Sequence, residues 1–397
     1  VLVARSLNNL GNIYFRTGNL PGAQEAWEEA LAIRRKALGP EHPDVASSLN
    51  NLGVILEAKG DYAGSLRMHE QAKAIREKTL GPDHPDVATS LSNLGNDLLR
   101  MGDYPAALEA QLRALAIREK AFGPDHPRVS ESLANLGIVY YSMRDYERAR
   151  PVYERSLAIN EKVFGKDNPN LAIDKSNLGV LLDNLGDYPA AKKWLEEGLA
   201  LFEKSTGPDS PEVAYAFQNL SGVYMALGQQ ADALSVAEKA VSVQEKASGP
   251  EHPGFAEALD VLGNRCFEAG QFRKASDIHR RALGIVEKSL GAEHPAVATS
   301  LEGLADAQIE LGSMEEGRTY YERALFIHEK VFGPEHPTVG ESLLKIAKLD
   351  WRTGSYQAVL TNSLKAERIL RDQFIQLAPV LSEREALKYE AARSSGI

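Results

Sequence analysis

Six histidines of this chain recur inside one phrase. Residues 38–46 read LGPEHPDVA, and near-copies follow at 80–88, 122–130, 248–256, 290–298 and 332–340, each setting a histidine between an acidic residue and a proline. An imidazole beside a carboxylate is the raw material of a metal site or of a general base. The metal reading fails on spacing. Loops that recur once per stacked unit are separated by roughly 8–10 Å, the distance between packed helices. Two ligands of one metal ion, each bound at about 2 Å, must lie within about 4 Å of each other. A single loop supplies only one carboxylate and one histidine, too few to hold an ion.

Comparing the copies with each other gives a different chemistry. At the histidine's phase the fourth copy carries Asn168 (GKDNP) and the fifth Ser210 (GPDSP). Asparagine and serine are favoured helix N-caps, and the proline that follows is favoured at the first helical position. The preceding Gly–Pro is a matching stop signal. Asp44 and Glu212 then fall near the positive end of the next helix. The phrase reads as a helix stop followed by a helix start, with the loop edge as a second, partner-facing use, and no catalytic residue is assigned.

The other reactive side chains are blander. His69 and His279 share one position with Trp27, Tyr153 and Tyr321, which points to packing. Cys266 stands where other copies place Tyr14, Leu56, Tyr140, Leu182 and Tyr224, so it reads as a buried thiol. The Glu–Lys pairs at 77–78, 119–120 and their copies put a lysine in a helix's last turn, a solvated face that complements the dipole. No GxxxxGK[ST], HExxH, GxSxG or CxxC occurs. The chain is read as a non-enzyme with no cofactor and no metal.

A glycine sets the register that positions these residues. Gly11, Gly53, Gly95, Gly137, Gly179, Ser221, Gly263, Ala305 and Ala347 follow one another at 42-residue steps without insertion. A second glycine keeps the same beat from Gly39 to Gly333. Self-similarity of this kind is the signature of a solenoid, in which each unit buries its apolar face on its neighbours. Within a unit the period is helical. Residues 43–59 carry Val45, Leu49, Leu52, Ile55 and Leu56 at i, i+3/i+4 spacing, GDY at 60–62 breaks the helix, and a second helix runs from about Tyr62 to Leu80. Small residues recur on the second helix at Ala23, Ser65, Ala107, Ala149, Ala191, Ala233 and Ala275, with an aromatic near its start at Tyr62, Tyr104, Tyr146, Tyr188, Phe272 and Tyr356.

This small–aromatic–small spacing on a helix–turn–helix unit resembles the tetratricopeptide repeat. Its 42-residue form, ALAIREK…LGPEHPDVA…LNNLG, is similar to the long-repeat subtype of kinesin light chain and its bacterial relatives, from residue 1 to about 375. The fold expected is an all-α, right-handed superhelical solenoid of nine units over 1–378 (1–42, 43–84, 85–126, 127–168, 169–210, 211–252, 253–294, 295–336 and 337–378), followed by a capping or linker helix at 379–397. The resemblance implies that first helices line a concave groove that binds extended peptides. On it, groove positions lie six and two before the marker glycine and one and five after.

The position two before holds Asn9, Asn51, Asn93, Asn135, Asn177 and Asn219. An amide offers donors and an acceptor, so such a ladder suits a peptide backbone of any sequence, or else it bonds the neighbouring helix and spaces the stack. The other positions present Arg5, Asn12, Arg16, Asn96, Arg100, Asn184 and Tyr215, then an acidic patch of Glu257, Glu268, Asp306 and Glu310 where Val261 and Gly303 replace the asparagine. Lys345, Lys348 and Arg352 return the sign to basic. An acidic or carboxylate-bearing segment is expected in the N-terminal half of the groove, and a basic one, or another part of the parent protein, at the acidic patch.

The tail from Lys365 breaks at Pro379, and Ser382 with Glu385 forms a capping box. It resembles the connector between long arrays of this kind and a CHAT domain, a caspase-like protease fold of bacteria. Two readings follow: a free-standing interaction scaffold for peptide or protein segments, or the sensor arm of a bacterial signalling protein whose effector lies beyond Ile397. An array carried on a nucleotide-switch ATPase is a weaker third. The chain opens inside a repeat, which reads as a piece of a longer protein. The 397 residues carry a formal charge of −10, which argues against a nucleic-acid or anionic-membrane surface. One cysteine excludes an intrachain disulfide and fits a reducing, cytoplasmic location. The oligomeric state and superhelical pitch are not fixed at this level.

Overall fold

The computed structural model describes residues 1–371. They form helices α1 (Leu2–Arg16), α2 (Leu20–Leu38), α3 (Pro43–Ala58), α4 (Tyr62–Leu80), α5 (Pro85–Arg100), α6 (Tyr104–Phe122), α7 (Pro127–Ser142), α8 (Tyr146–Phe164), α9 (Leu171–Asn184), α10 (Tyr188–Thr206), α11 (Pro211–Ala226), α12 (Gln230–Ser248), α13 (Pro253–Glu268), α14 (Phe272–Leu290), α15 (Pro295–Glu310), α16 (Met314–Phe332) and α17 (Pro337–Arg352). A further helix, α18, begins at residue 356. No strand occurs among the described residues. Odd and even helices pair within a unit, and each even helix packs on the next odd one.

The recurring phrase is the joint between units. Each second helix stops at a glycine such as Gly39, at φ 87° and ψ 160°, a backbone region open in practice only to glycine. The histidine then caps the next helix. Nδ1 of His42 accepts the Asp44 N–H at 3.1 Å, and His84, His126, His252, His294 and His336 do the same two residues on. Asn168 uses Oδ1 on the Asn170 N–H at 2.9 Å, and Ser210 uses its hydroxyl on the Val213 N–H at 3.4 Å. The expected helix cap is therefore present for the histidines and Ser210, whereas Asn168 bonds the N–H of Asn170, which itself stands at the start of α9 without a side-chain cap bond. Helix α9 nonetheless starts at Leu171, two residues later than the proline predicts, with Asn170 at its N-cap in helical geometry (φ −62°, ψ −17°) and without a side-chain cap bond.

The marker glycine has a more local partner than the aromatic at the second helix's start. A Cβ on Gly11 would lie 2.5 Å from Trp27, one on Gly95 2.6 Å from Gln111, and one on Gly263 2.6 Å from His279. The residue covering the glycine is thus the second-helix position that holds Trp27, His69, Gln111, Tyr153, Leu195 and His279. The marker becomes Ser221 where that position holds only Ala237. Tyr356, one of the six aromatics at the second helix's start, is 65% exposed.

A buried polar clamp joins successive units. Arg76 Nη1 donates to Ser90 Oγ at 2.7 Å and to the Asp86 carbonyl at 3.2 Å, and Arg34 with Ser48 and Arg118 with Ser132 repeat the arrangement. Unit four substitutes Asn160 and Asp174, while unit five uses the apolar pair Phe202 and Ala216.

The solenoid closes a turn of its superhelix and lies against itself. The Gly18 turn between α1 and α2 meets His252, the cap of α13. Gly60, between α3 and α4, meets His294 and Pro295, and Gly102, between α5 and α6, meets His336 and Pro337. The register is the same at all three places. Tyr62 stacks on Phe332 across the seam with centroids 5.6 Å apart, and Phe332 stacks on His336 at 4.6 Å. In unit four the turn glycine is replaced by Arg144, which adopts φ 56° and reaches Glu341 of α17 at 3.2 Å.

Candidate functional site

The positions expected to line the groove are distributed as follows. Arg5, Asn9, Asn12 and Arg16 are all exposed on α1, and neither arginine has an ion-pair partner among the described residues. Asn51, Asn93, Asn135, Asn177 and Asn219 are half-buried. Asn51 Nδ2 donates to Asn8 Oδ1 at 2.9 Å and Asn93 Nδ2 to Asn50 Oδ1 at 2.6 Å, each reaching back to the previous unit. These two amides tie the stack and still keep one N–H and their own oxygen without an intramolecular bond. Asn219 Nδ2 is buried without a partner. Asn184 has both donors engaged, to Tyr141 Oη at 2.8 Å and to the Val180 carbonyl, while accepting from Tyr146 Oη at 3.3 Å. Tyr215 is 48% exposed.

Asn96, Arg100 and Asn135 converge on a cavity of about 450 Å³ at the seam. Tyr62, Tyr104 and Glu57 complete its wall from the first turn, and Phe332, His336 and Thr338 close it from the second. Arg100 Nε lies 3.6 Å from Glu57, at bonding range for exposed charges and too long for a tight bond. Burial raises the Tyr62 phenol above its ordinary value, with Arg100 opposing. The closure converts part of an open groove into a chamber with an aromatic, amide and guanidinium lining.

The acidic positions are largely engaged. Glu310 pairs with Arg352 at 2.5 Å, Glu268 lies 3.0 Å from Arg265, and Asp306 accepts the Tyr321 hydroxyl at 2.5 Å. Burial in the concave curvature pushes the Glu257 carboxyl up, and Asp260 adds to the effect. Lys345 bonds Glu302 at 2.6 Å. The asparagine is missing at Gly303 for a steric reason: the His279 ring fills that space, so a Cβ there would overlap it.

One buried cluster has the composition of a hydrolase triad. Ser65 Oγ donates to Asp97 Oδ1 at 2.6 Å, and His69 Nδ1 lies 2.5 Å from Asp97 Oδ2. The imidazole's other nitrogen faces the Asn50 carbonyl at 3.2 Å, and all three side chains are shut from solvent. No substrate can reach the hydroxyl, so the cluster is a polar bolt between α4 and α5. His279 with Asp260 and Ser300 repeats it between α13, α14 and α15. Sequence placed His69 and His279 in the core, but their acidic partners on other helices have no fixed spacing by which to find them. Cys266 is buried, and burial raises its thiol. Among the described residues no cluster of three or more His, Cys, Asp or Glu side chains is placed to hold a metal ion, and no helix is long and apolar enough to cross a membrane.

The lysines of the Glu–Lys pairs are exposed and most of their glutamates half-buried, and both are bonded in rows. Lys120 reaches Asp83 at 2.5 Å and Lys330 reaches Glu293 at 2.6 Å, while Glu119 takes Arg155 and Glu287 takes Arg323. The lysine beside the acid holds Asp83 and Asp125 below the usual carboxylate range.

Comparison with known proteins agrees with the geometry. A tetratricopeptide repeat model matches residues 2–78, 46–120, 86–162, 139–204, 170–246, 212–288 and 297–372. No curated protein matches significantly. Among solved structures, the Rap protein in complex with competence and sporulation factor is 12% identical, with 95% of this chain and 100% of that one covered, at a TM-score of 0.63. Kinesin light chain repeats from Podosopora anserina are 24% identical over 52% of this chain and 97% of that one, at a TM-score of 0.44. BtubC (BKLC) from P. vanneervenii is 18% identical over 59% and 92%, at 0.47. At these identities the likeness is one of fold. The resemblance of the tail to a protease connector, with the capping or linker helix expected at 379–397, concerns mainly residues outside those described. With the glycine register, the capped joints and the family match over nearly the whole length in agreement, this chain belongs to the tetratricopeptide repeat family.

Proposed function

We propose that the chain is a protein–protein interaction scaffold that takes an extended, acidic peptide segment along the concave face of its N-terminal half. Proteins built from these repeats generally mediate protein–protein interaction and are typically non-catalytic. The observation that carries the finer reading is the state of α1: Arg5, Asn9, Asn12 and Arg16 stand exposed, and the two guanidinium groups have no carboxylate partner among the described residues. Further along, Asn96, Arg100 and Asn135 supply the same chemistry within the seam cavity. Amide side chains can pair with a peptide backbone irrespective of sequence, and arginine adds selection for carboxylates. The acidic stretch at Glu257, Glu268, Asp306 and Glu310 takes no part in this reading, since three of the four already bond a neighbour.

The test is fluorescence anisotropy with a labelled acidic peptide and a scrambled-charge control. Replacing Arg5, Arg16 and Arg100 together by alanine should weaken acidic-peptide binding by about tenfold or more, at roughly 0.5 kcal/mol per screened contact. Binding should also weaken as salt rises, because exposed charges are screened beyond about 10 Å at 0.1 M. Affinity that ignores both the triple substitution and the salt would sink the proposal.

A further inference from the structure

The seam between superhelical turns serves no purpose in holding a single unit together. It joins two edges of the molecule: the tight turns of units one to three, and the capping loops ahead of α13, α15 and α17. Three cap histidines are the groups that touch. Each already uses Nδ1 to cap its own helix, so only the outer edge of the ring, with Cδ2 and Nε2, faces the opposing turn. A Cβ on the opposing glycine would lie 3.4 Å from His252 Cδ2, 3.3 Å from His294 Cδ2 and 2.7 Å from His336 Cδ2. The fit tightens along the series. Nε2 of His336 is buried without a hydrogen bond of good geometry.

We propose that this seam is an acid-released latch: the turns stay stacked while the rings of His252, His294 and His336 are neutral, and they part as those rings take up protons. Because Nδ1 accepts the cap N–H, the neutral ring carries its hydrogen on Nε2; protonation adds the second N–H at Nδ1, against the cap donor, and leaves a charge in a seam that desolvates it. The surroundings support this assignment. His252 faces the Gly18 turn. Around His294 the facing groups are Lys59, Asp61, Glu293 and Lys330, two of each sign. Around His336 they are Arg100, Glu57, Asp103, Glu335 and the neighbouring His328. Around His336 the three carboxylates outnumber Arg100 by two, yet desolvation is still the largest cause of its lowered pKa, as it is at His252 and His294. Backbone contacts at Ala58 and Arg100 oppose it without cancelling it.

The direction follows from linkage. The stacked form binds these protons less tightly than the parted form, in which each ring returns towards 6.5. Stacking is fully favoured above that value. It is lost progressively as pH falls towards about 4, where His336 titrates in the stacked form. Because three rings are involved, proton uptake on opening should be greater than that of one site.

The fold contains its own controls. His42, His84 and His126 cap α3, α5 and α7 through the same Nδ1 bond, but on the edge of their units away from the seam. The full 397-residue chain is followed by small-angle X-ray scattering between pH 7.5 and 4.5, with far-UV circular dichroism to confirm that helix content is kept. The radius of gyration is expected to rise reversibly within the window between 6.5 and 4, at constant helicity. The triple variant His252→Asn/His294→Asn/His336→Asn keeps an oxygen acceptor for the N–H two residues on, the bond that Asn168 makes to Asn170, and should lose the pH response. The variant His42→Asn/His84→Asn/His126→Asn should retain it with the same midpoint. A radius that stays constant to pH 4.5 would overturn the latch. So would an unchanged transition in the seam variant, or its loss in the control variant.

Discussion

His84 illustrates how much one side chain contributes at a joint. Its Nδ1 satisfies the Asp86 N–H, one of the donors that a helix start leaves without an intrahelical partner. Replacing it by alanine should destabilise the α5 start by about 1 kcal/mol, whereas asparagine should cost only a few tenths. Hydrogen exchange of the first-turn amides of α5, supported by thermal melts, measures the difference. Gly53 makes a steric case. A Cβ there would overlap the His69 ring, which is held by Asp97 and cannot swing away. Gly53→Ala should therefore cost about 1–3 kcal/mol. His69→Ala empties the space but strands Asp97, at about 3–5 kcal/mol. The double variant should cost less than the sum of the two by about 0.5–3 kcal/mol, as expected for residues in contact. Strict additivity in a double-mutant cycle would contradict the packing described.

At the scale of the helix, the clamp between Arg76 on α4 and Ser90 on α5 shows how units are held in register. Burial lowers the Arg76 guanidinium, yet it stays bonded to a hydroxyl and a carbonyl. Ser90→Ala removes one bond to a charged group and should cost about 1.5–3 kcal/mol. The joint substitution Arg76→Phe/Ser90→Ala installs the pair that unit five uses at Phe202 and Ala216, and should recover most of that loss because no polar group is left stranded. Melting temperatures of the two variants decide it: a double variant less stable than Ser90→Ala would show that the units are not interchangeable at this position. The helices themselves were legible in the sequence. Predicted bounds at Pro43 and Tyr62–Leu80 agree with α3 and α4, since caps, glycine stops and the 3.6 period act locally. The late start of α9 was not legible, because the GKDNP phrase has the same form as the other joints, yet Asn170 rather than Asn168 stands at the helix N-cap.

For the whole molecule, the seam decides the shape. Outside the histidines, its contacts include the stacking of Tyr62 on Phe332, the Arg144–Glu341 pair and the packing of Pro295 and Pro337 on the Gly60 and Gly102 turns. An offset aromatic pair contributes about 0.5–1.5 kcal/mol and an exposed ion pair about 1 or less, so the closure is shallow and open to control. Phe332→Ala combined with Arg144→Gly should enlarge the radius of gyration at neutral pH while leaving helicity unchanged. The glycine even relieves a positive-φ residue, so local unfolding of the α7–α8 turn is not expected. Scattering curves identical to the parent would show that these two contacts are incidental to closure.

The sequence by itself determined the solenoid, its 42-residue register, the capped joints and the asparagine ladder two residues before the marker position. Each of these depends on neighbours within one unit or one unit away, so a periodic pattern records it. It also left the asparagines with two uses, and the structure shows Asn51 and Asn93 bonding the preceding unit while keeping part of their amides free. Only the tertiary structure decided that Gly18, Gly60 and Gly102 would meet His252, His294 and His336. That meeting depends on small rotations accumulated over many units, which no local spacing encodes. The same histidines that looked like chemistry, and then like caps, thus acquire a second contact only because the superhelix returns to them.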